Sequence, residues 1–90
     1  MAALLKSKNY KKSVAALSKK DRVLVSKQEG LLTKDIFNPK LHTKKLKGFG
    51  TDKVFSFRVT RVYRGIFRLR GQDVILFAIG HRKDIYQSLD

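Results

Sequence analysis

Ninety residues, 42% of them hydrophobic and including six Phe and three Tyr, suffice for one domain with a single modest core and are too apolar for a disordered basic tail. Twenty-one Lys and Arg against seven Asp and Glu leave a net charge of +14. That charge fits a polyanionic partner, nucleic acid first, because neutralised phosphates release counterions. The lack of cysteine excludes disulfides and thiolate metal sites, and the apolar runs at 2–5 and 74–80 are far too short to span a bilayer. Residues 1–12 make a poor signal peptide, since positive charge follows the apolar part, so a cytoplasmic location is expected.

In chain order, residues 2–6 read as a short strand. Ser7 or Asn9 then caps a helix in which Tyr10, Val14 and Leu17 recur at helical spacing. Ser18 with Asp21 resembles a capping box and opens a second helix. Leu24, Val25, Leu31, Leu32 and Ile36 form its buried side; Gly30 weakens it, and Asn38-Pro39 ends it. The two helices form a hairpin with its lysines outside. Residues 39–52, with Lys40, Lys44, Lys45, Lys47, Gly48 and Gly50, read as a basic loop, and "GFG" within it as a solvated turn.

From Lys53 the period changes to two. Phe55, Phe57 and Val59 alternate with Ser56, Arg58 and Thr60; Tyr63, Gly65, Phe67 and Leu69 alternate with Arg64, Ile66, Arg68 and Arg70. Residues 71–73 make a turn, and 74–80 are apolar on both faces, as in a strand covered by helices on one side. The expected fold is α+β, a single domain over 1–90: a short strand, a helical hairpin, an antiparallel meander packed on the helices, and a short C-terminal helical turn. Pairing in the meander puts Arg58 and Arg64 on one open face, with His81, Arg82 and Tyr86 arriving at the strand end. The phenylalanines at 55, 57 and 67 belong to the core.

The cations are sorted by type. Thirteen of fourteen Lys lie at or before Lys53, and six of seven Arg after it. Lys is a hydrated, mobile point charge, whereas Arg offers a rigid fork that orients phosphate, so the defined chemistry belongs to the C-terminal half. Lys44, Lys45, Lys47, Lys53 and Arg61 are the candidate nucleic-acid-binding residues, and Arg58, Arg64, His81, Arg82 and Tyr86 make up the candidate site.

"KLKG" at 45–48, "FSFRV" at 55–59, "YRGIFRL" at 63–69 and "ILFAIGHRKDIY" at 75–86 resemble, in order and spacing, successive blocks of the RelE/ParE superfamily of toxin–antitoxin toxins. The resemblance covers the second half of the chain. It implies an endoribonuclease that cleaves mRNA, typically in the ribosomal A site, or, on the ParE side, an inhibitor of DNA gyrase. Arg64, Arg82 and Tyr86 match residues implicated in RelE-type cleavage, and His81 resembles a histidine used by other nuclease branches. RelE itself has two lysines where this chain has Ser56 and Arg58, and the glutamate base of another branch has no counterpart beyond Glu29, which lies in a helix. The resemblance also implies an acidic antitoxin as partner, besides mRNA and the ribosome, and neither cofactor, metal nor membrane.

Metal-free cleavage requires a base for the 2′-hydroxyl, cations for the transition state and an acid for the departing oxygen. Arg64 and Arg82 are suited to the cationic role, and His81 supplies an imidazole for the base. Tyr86 stacks on a base or donates to the leaving group. Plainer readings stand beside these: His81 as a strand-end cap, Tyr63 and Tyr86 as core aromatics, His42 as a loop residue, Arg68 and Arg70 as a solvated face. A non-catalytic RNA-binding module remains the third alternative.

Overall fold

The computed structural model describes residues 3–46 and 53–85. Lys47, Tyr86 and the "GFG" turn lie outside them. The order of elements is β1 (Leu4–Lys6), α1 (Lys8–Ala15), α2 (Lys19–Lys34), a 3-10 turn (Pro39–Leu41), β2 (Lys44–Lys45), β3 (Lys53–Arg58), β4 (Tyr63–Arg70) and β5 (Asp73–His81). One sheet of order β1-β5-β4-β3-β2 carries the helical hairpin on one face. The meander β3–β4–β5 is antiparallel, as the alternation predicts, and β1 joins it parallel to β5.

Both helices begin where a serine hydroxyl replaces a missing backbone partner. Ser7 Oγ accepts from the Tyr10 amide (3.1 Å) and Ser18 Oγ from the Asp21 amide (3.2 Å). The expected end of α2 at Asn38-Pro39 is corrected to Lys34. Asp35 is extended, at φ −161°, and its carboxylate accepts from the Phe37 amide, a local bond that competes with helical continuation. Ile36 therefore packs against the core from the connection and not from the helix.

The basic loop at 39–52 is likewise corrected. It holds the 3-10 turn, which buries Leu41 completely, and the short edge strand β2, where Lys44 pairs with Ser56 and Lys45 with Phe55. Two lysines on a sheet edge discourage further strand pairing, which is why this charge-rich segment is compatible with a ladder. Beyond it, Gly71 at φ 60° opens the tight β4–β5 turn between the paired Arg70 and Asp73.

The main core lies between helices and sheet. Tyr10, Val25, Leu32 and Leu41 meet Phe55, Phe57, Val59, Phe67, Val74, Leu76 and Ile79 there. Phe55 and Phe67 stack at 5.3 Å, and Phe57 tilts against Phe67 at 5.9 Å. A smaller cluster of Val54, Ile66 and Ile85 occupies the other face of the sheet, closed by the helical turn after β5. Among the described residues no helix is long and apolar enough to cross a membrane.

Candidate functional site

The open face of the sheet is built by alternation. Arg58 at the end of β3 and Arg64 near the start of β4 are direct cross-strand partners, so both side chains leave the sheet on the same side, as the sequence predicts. Like charges directly opposite one another are unfavourable in a sheet. Neither is fully solvated: both arginines are half-buried. The Arg58 Nε is buried without a hydrogen-bond partner. A buried, unsatisfied donor in a cationic pair is a disfavoured arrangement that an anion would relieve.

Arg64 is held by the connection between β3 and β4. Its Nη1 donates to the carbonyl oxygens of Thr60 (2.9 Å), Tyr63 (3.2 Å) and Arg61 (3.3 Å). The Arg58 end of β3 is held from the helical side, where Gln28 Nε2 donates to the Arg58 carbonyl (2.7 Å) and to the Lys40 carbonyl (3.2 Å). Sequence reasoning overlooked both Gln28 and Thr60. For Gln28 a signal existed, because it falls between Val25 and Leu32 on the buried side of α2, a polar residue within an apolar stripe.

His81 is placed differently from expectation. A regular ladder from the Arg70–Asp73 pair would set His81 opposite Val62, on the Arg64 side. The register instead shifts by one between Ile66 and Phe67, leaving Phe77 as the extra residue of β5, and His81 pairs with Tyr63. Because side chains alternate with period two, one extra residue exchanges faces for everything after it. The His81 ring accordingly lies edge-on to the Tyr63 ring, at 6.3 Å, on the side of Tyr63 and away from the arginine pair. Its Nδ1 accepts from the Lys83 amide (3.1 Å), so while that bond stands Nε2 carries the proton and the ring has no open lone pair.

Arg82 follows at once, exposed, and its amide donates to the Val62 carbonyl (2.6 Å). The same short connection therefore seats both Arg64 and Arg82. Of the candidate RNA-binding residues, Arg61 is exposed in that connection. Lys44, opposite Ser56, shares the arginine face two residues along from Arg58. Lys45 is exposed on the alternate side of β2, and Lys53 stands at the far end of β3, about 17 Å from Arg58 for a strand of ordinary rise. Among the described residues no group of three or more His, Asp or Glu is arranged to hold a metal ion.

Away from this face, Glu29 is buried between the hairpin and β1. Its carboxylate accepts from the Tyr10 hydroxyl (2.9 Å) and pairs with Lys6 Nζ (3.1 Å). Burial first, then the Glu29 charge and this hydrogen bond, push the Tyr10 hydroxyl well above its ordinary pKa. The cluster is remote from Arg58 and Arg64 and ties the first strand to both helices.

No protein-family model matches the chain, and no curated protein sequence matches it. Solved structures do. RelE in the archaeal RelE–RelB complex from Pyrococcus horikoshii OT3 matches with TM-score 0.78 at 18% identity, over 90% of this chain and 94% of that one. The RelB–RelE antitoxin–toxin complex from Methanococcus jannaschii gives 0.75 at 23% identity, over 96% and 99%. YafQ from E. coli strain BL21(DE3) gives 0.76 at 13% identity, over 96% and 99%. With strand order, helical hairpin and meander all accounted for over at least 90% of its length, this chain has the fold of the RelE-type toxins.

Proposed function

We propose that this chain is the toxin of a type II toxin–antitoxin pair and an endoribonuclease that cleaves mRNA, on the ribosome, by attack of the 2′-hydroxyl on the adjacent phosphate. The observation that carries the reading is the Arg58–Arg64 pair, directly opposed and half-buried, with the Arg58 Nε buried and unsatisfied. Such a pair is costly without an anion and well matched to a phosphodiester. Arg58, Arg64 and Arg82 orient the scissile phosphate and offset the charge that builds on its oxygens. Guanidinium stays protonated, so none of them takes the proton.

His81 is the candidate base, and its geometry sets a condition. The Lys83 amide must release Nδ1, and the ring must leave its contact with Tyr63 for the side of the arginine pair, so RNA binding has to open the turn at 82–85. Tyr86 would act from the segment just beyond that turn. Lys44, Lys45, Lys47, Lys53 and Arg61 attract the flanking RNA. The cognate antitoxin is an acidic protein that neutralises part of the +14 charge, as partner of a toxin whose structural neighbours include RelE–RelB complexes.

Mapping RNA 5′ ends after a brief pulse of expression tests this. New ends within translated messages, absent for Arg64→Ala and Arg82→Ala variants that still fold, are expected. Undiminished cleavage by both variants would remove the mechanism. Intact messages together with arrested DNA supercoiling would replace the nuclease with a gyrase inhibitor, and neither effect would leave a plain RNA-binding module.

A further inference from the structure

The connection between β3 and β4 spans only residues 59–62, yet it supplies partners to two of the three arginines. Its own shape depends on one side chain. Thr60 Oγ1 accepts from the Tyr63 amide (3.0 Å) and from the Val62 amide (3.2 Å), a side-chain turn that bends the backbone back on itself. The Val59 and Thr60 amides both donate to the Tyr63 carbonyl, at 3.1 and 3.3 Å, which closes the turn from the other side. The carbonyls around this closed turn also serve the site. The Thr60, Arg61 and Tyr63 carbonyls converge on Arg64 Nη1, and the Val62 carbonyl receives the Arg82 amide.

We infer that Thr60 is a positioning residue: its hydroxyl locks the 59–62 turn and thereby aims Arg64 and seats Arg82 in one arrangement. The inference rests on the proposed phosphate chemistry for its consequence, but the clasp itself is a matter of hydrogen bonding. Valine has the shape of threonine and no acceptor, so Thr60→Val frees the Val62 and Tyr63 amides and lets the three carbonyls drift relative to Arg64. Serine keeps the acceptor. A displacement on the scale of an ångström at an orienting cation is enough to slow a reaction about 100-fold while the fold persists.

The test uses the full-length chain in three forms: unaltered, Thr60→Val and Thr60→Ser. Two quantities are measured, cleavage of mRNA on programmed ribosomes, with kcat and KM separated, and the NMR signals of the Arg64 guanidinium, whose Nη protons exchange slowly and stay resolved while the group is clasped. Expected are a loss of about 100-fold in kcat for Thr60→Val, recovery to within about threefold for Thr60→Ser, and averaging of the Arg64 Nη signals in the valine form alone. Unchanged kcat and unchanged Arg64 signals in Thr60→Val overturn the inference, as does a serine form that falls with the valine form. If the unaltered chain cleaves no RNA, the nuclease reading fails by itself, and the Arg64 signals still decide for or against the clasp.

Discussion

At Gly65 the ring of Phe57 lies where a side chain would begin. A Cβ there would sit 2.4 Å from both Cε1 and Cζ of that ring. The ring is itself fully buried against Phe67, so it has nowhere to move. Gly65→Ala is expected to destabilise the protein by about 1–3 kcal/mol, measured by urea unfolding, and Phe57→Leu in the same chain should recover part of the loss. Tyr10 offers a pH-dependent counterpart. Its hydroxyl has a raised pKa in the folded state, so the contribution is intact below the ordinary tyrosine value near 10 and is lost as pH rises from there toward the folded value. The stability gap between the unaltered chain and Tyr10→Phe should therefore narrow above pH 10; a gap independent of pH would show that Tyr10 ionises as freely in the fold as in water.

Among the elements, the N-terminal junction is the most economical. Ser7 caps α1, its amide donates to the Leu76 carbonyl (2.9 Å), and its hydroxyl lies 3.4 Å from the Phe77 carbonyl at the bulge. Ser7→Ala should cost about 1 kcal/mol in thermal or urea unfolding through the lost cap, and Ser7→Asp should restore most of it. This junction also shows what a one-dimensional reading reaches. Caps, helical spacing and the strand alternation of 53–70 are local patterns, so both helices, the meander and the shared side of Arg58 and Arg64 were legible. The end of α2 was not, because Asp35 satisfies the Phe37 amide by a geometry that any proline-based rule overlooks. Nor was β2, whose lysines pair with β3 for reasons that lie in β3. The sidedness of His81 depends on Phe77 being left out of the ladder, which the apolar run at 74–80 does not reveal.

For the whole molecule the governing quantity is charge. The hairpin exposes Lys8, Lys11, Lys12, Lys19, Lys20 and Lys27 on one side, and the sheet exposes Lys44, Arg70 and Arg82 on the other. Binding to a short single-stranded RNA should weaken with salt at a log–log slope of about −0.7 for each phosphate engaged, and Lys44→Ala should reduce the slope by about one contact. A flat dependence would mean that the basic surface does not meet RNA phosphates. The bulge at Phe77 carries a further lesson for comparison among remote relatives that share this architecture. Because it acts as a parity switch, a gap of one position placed on the wrong side of it would equate His81 with residues that project the opposite way. Deleting Phe77 should remove the bulge and leave the residues after it on the faces they now occupy, so homologous functional positions in such proteins are better matched through space than along the chain.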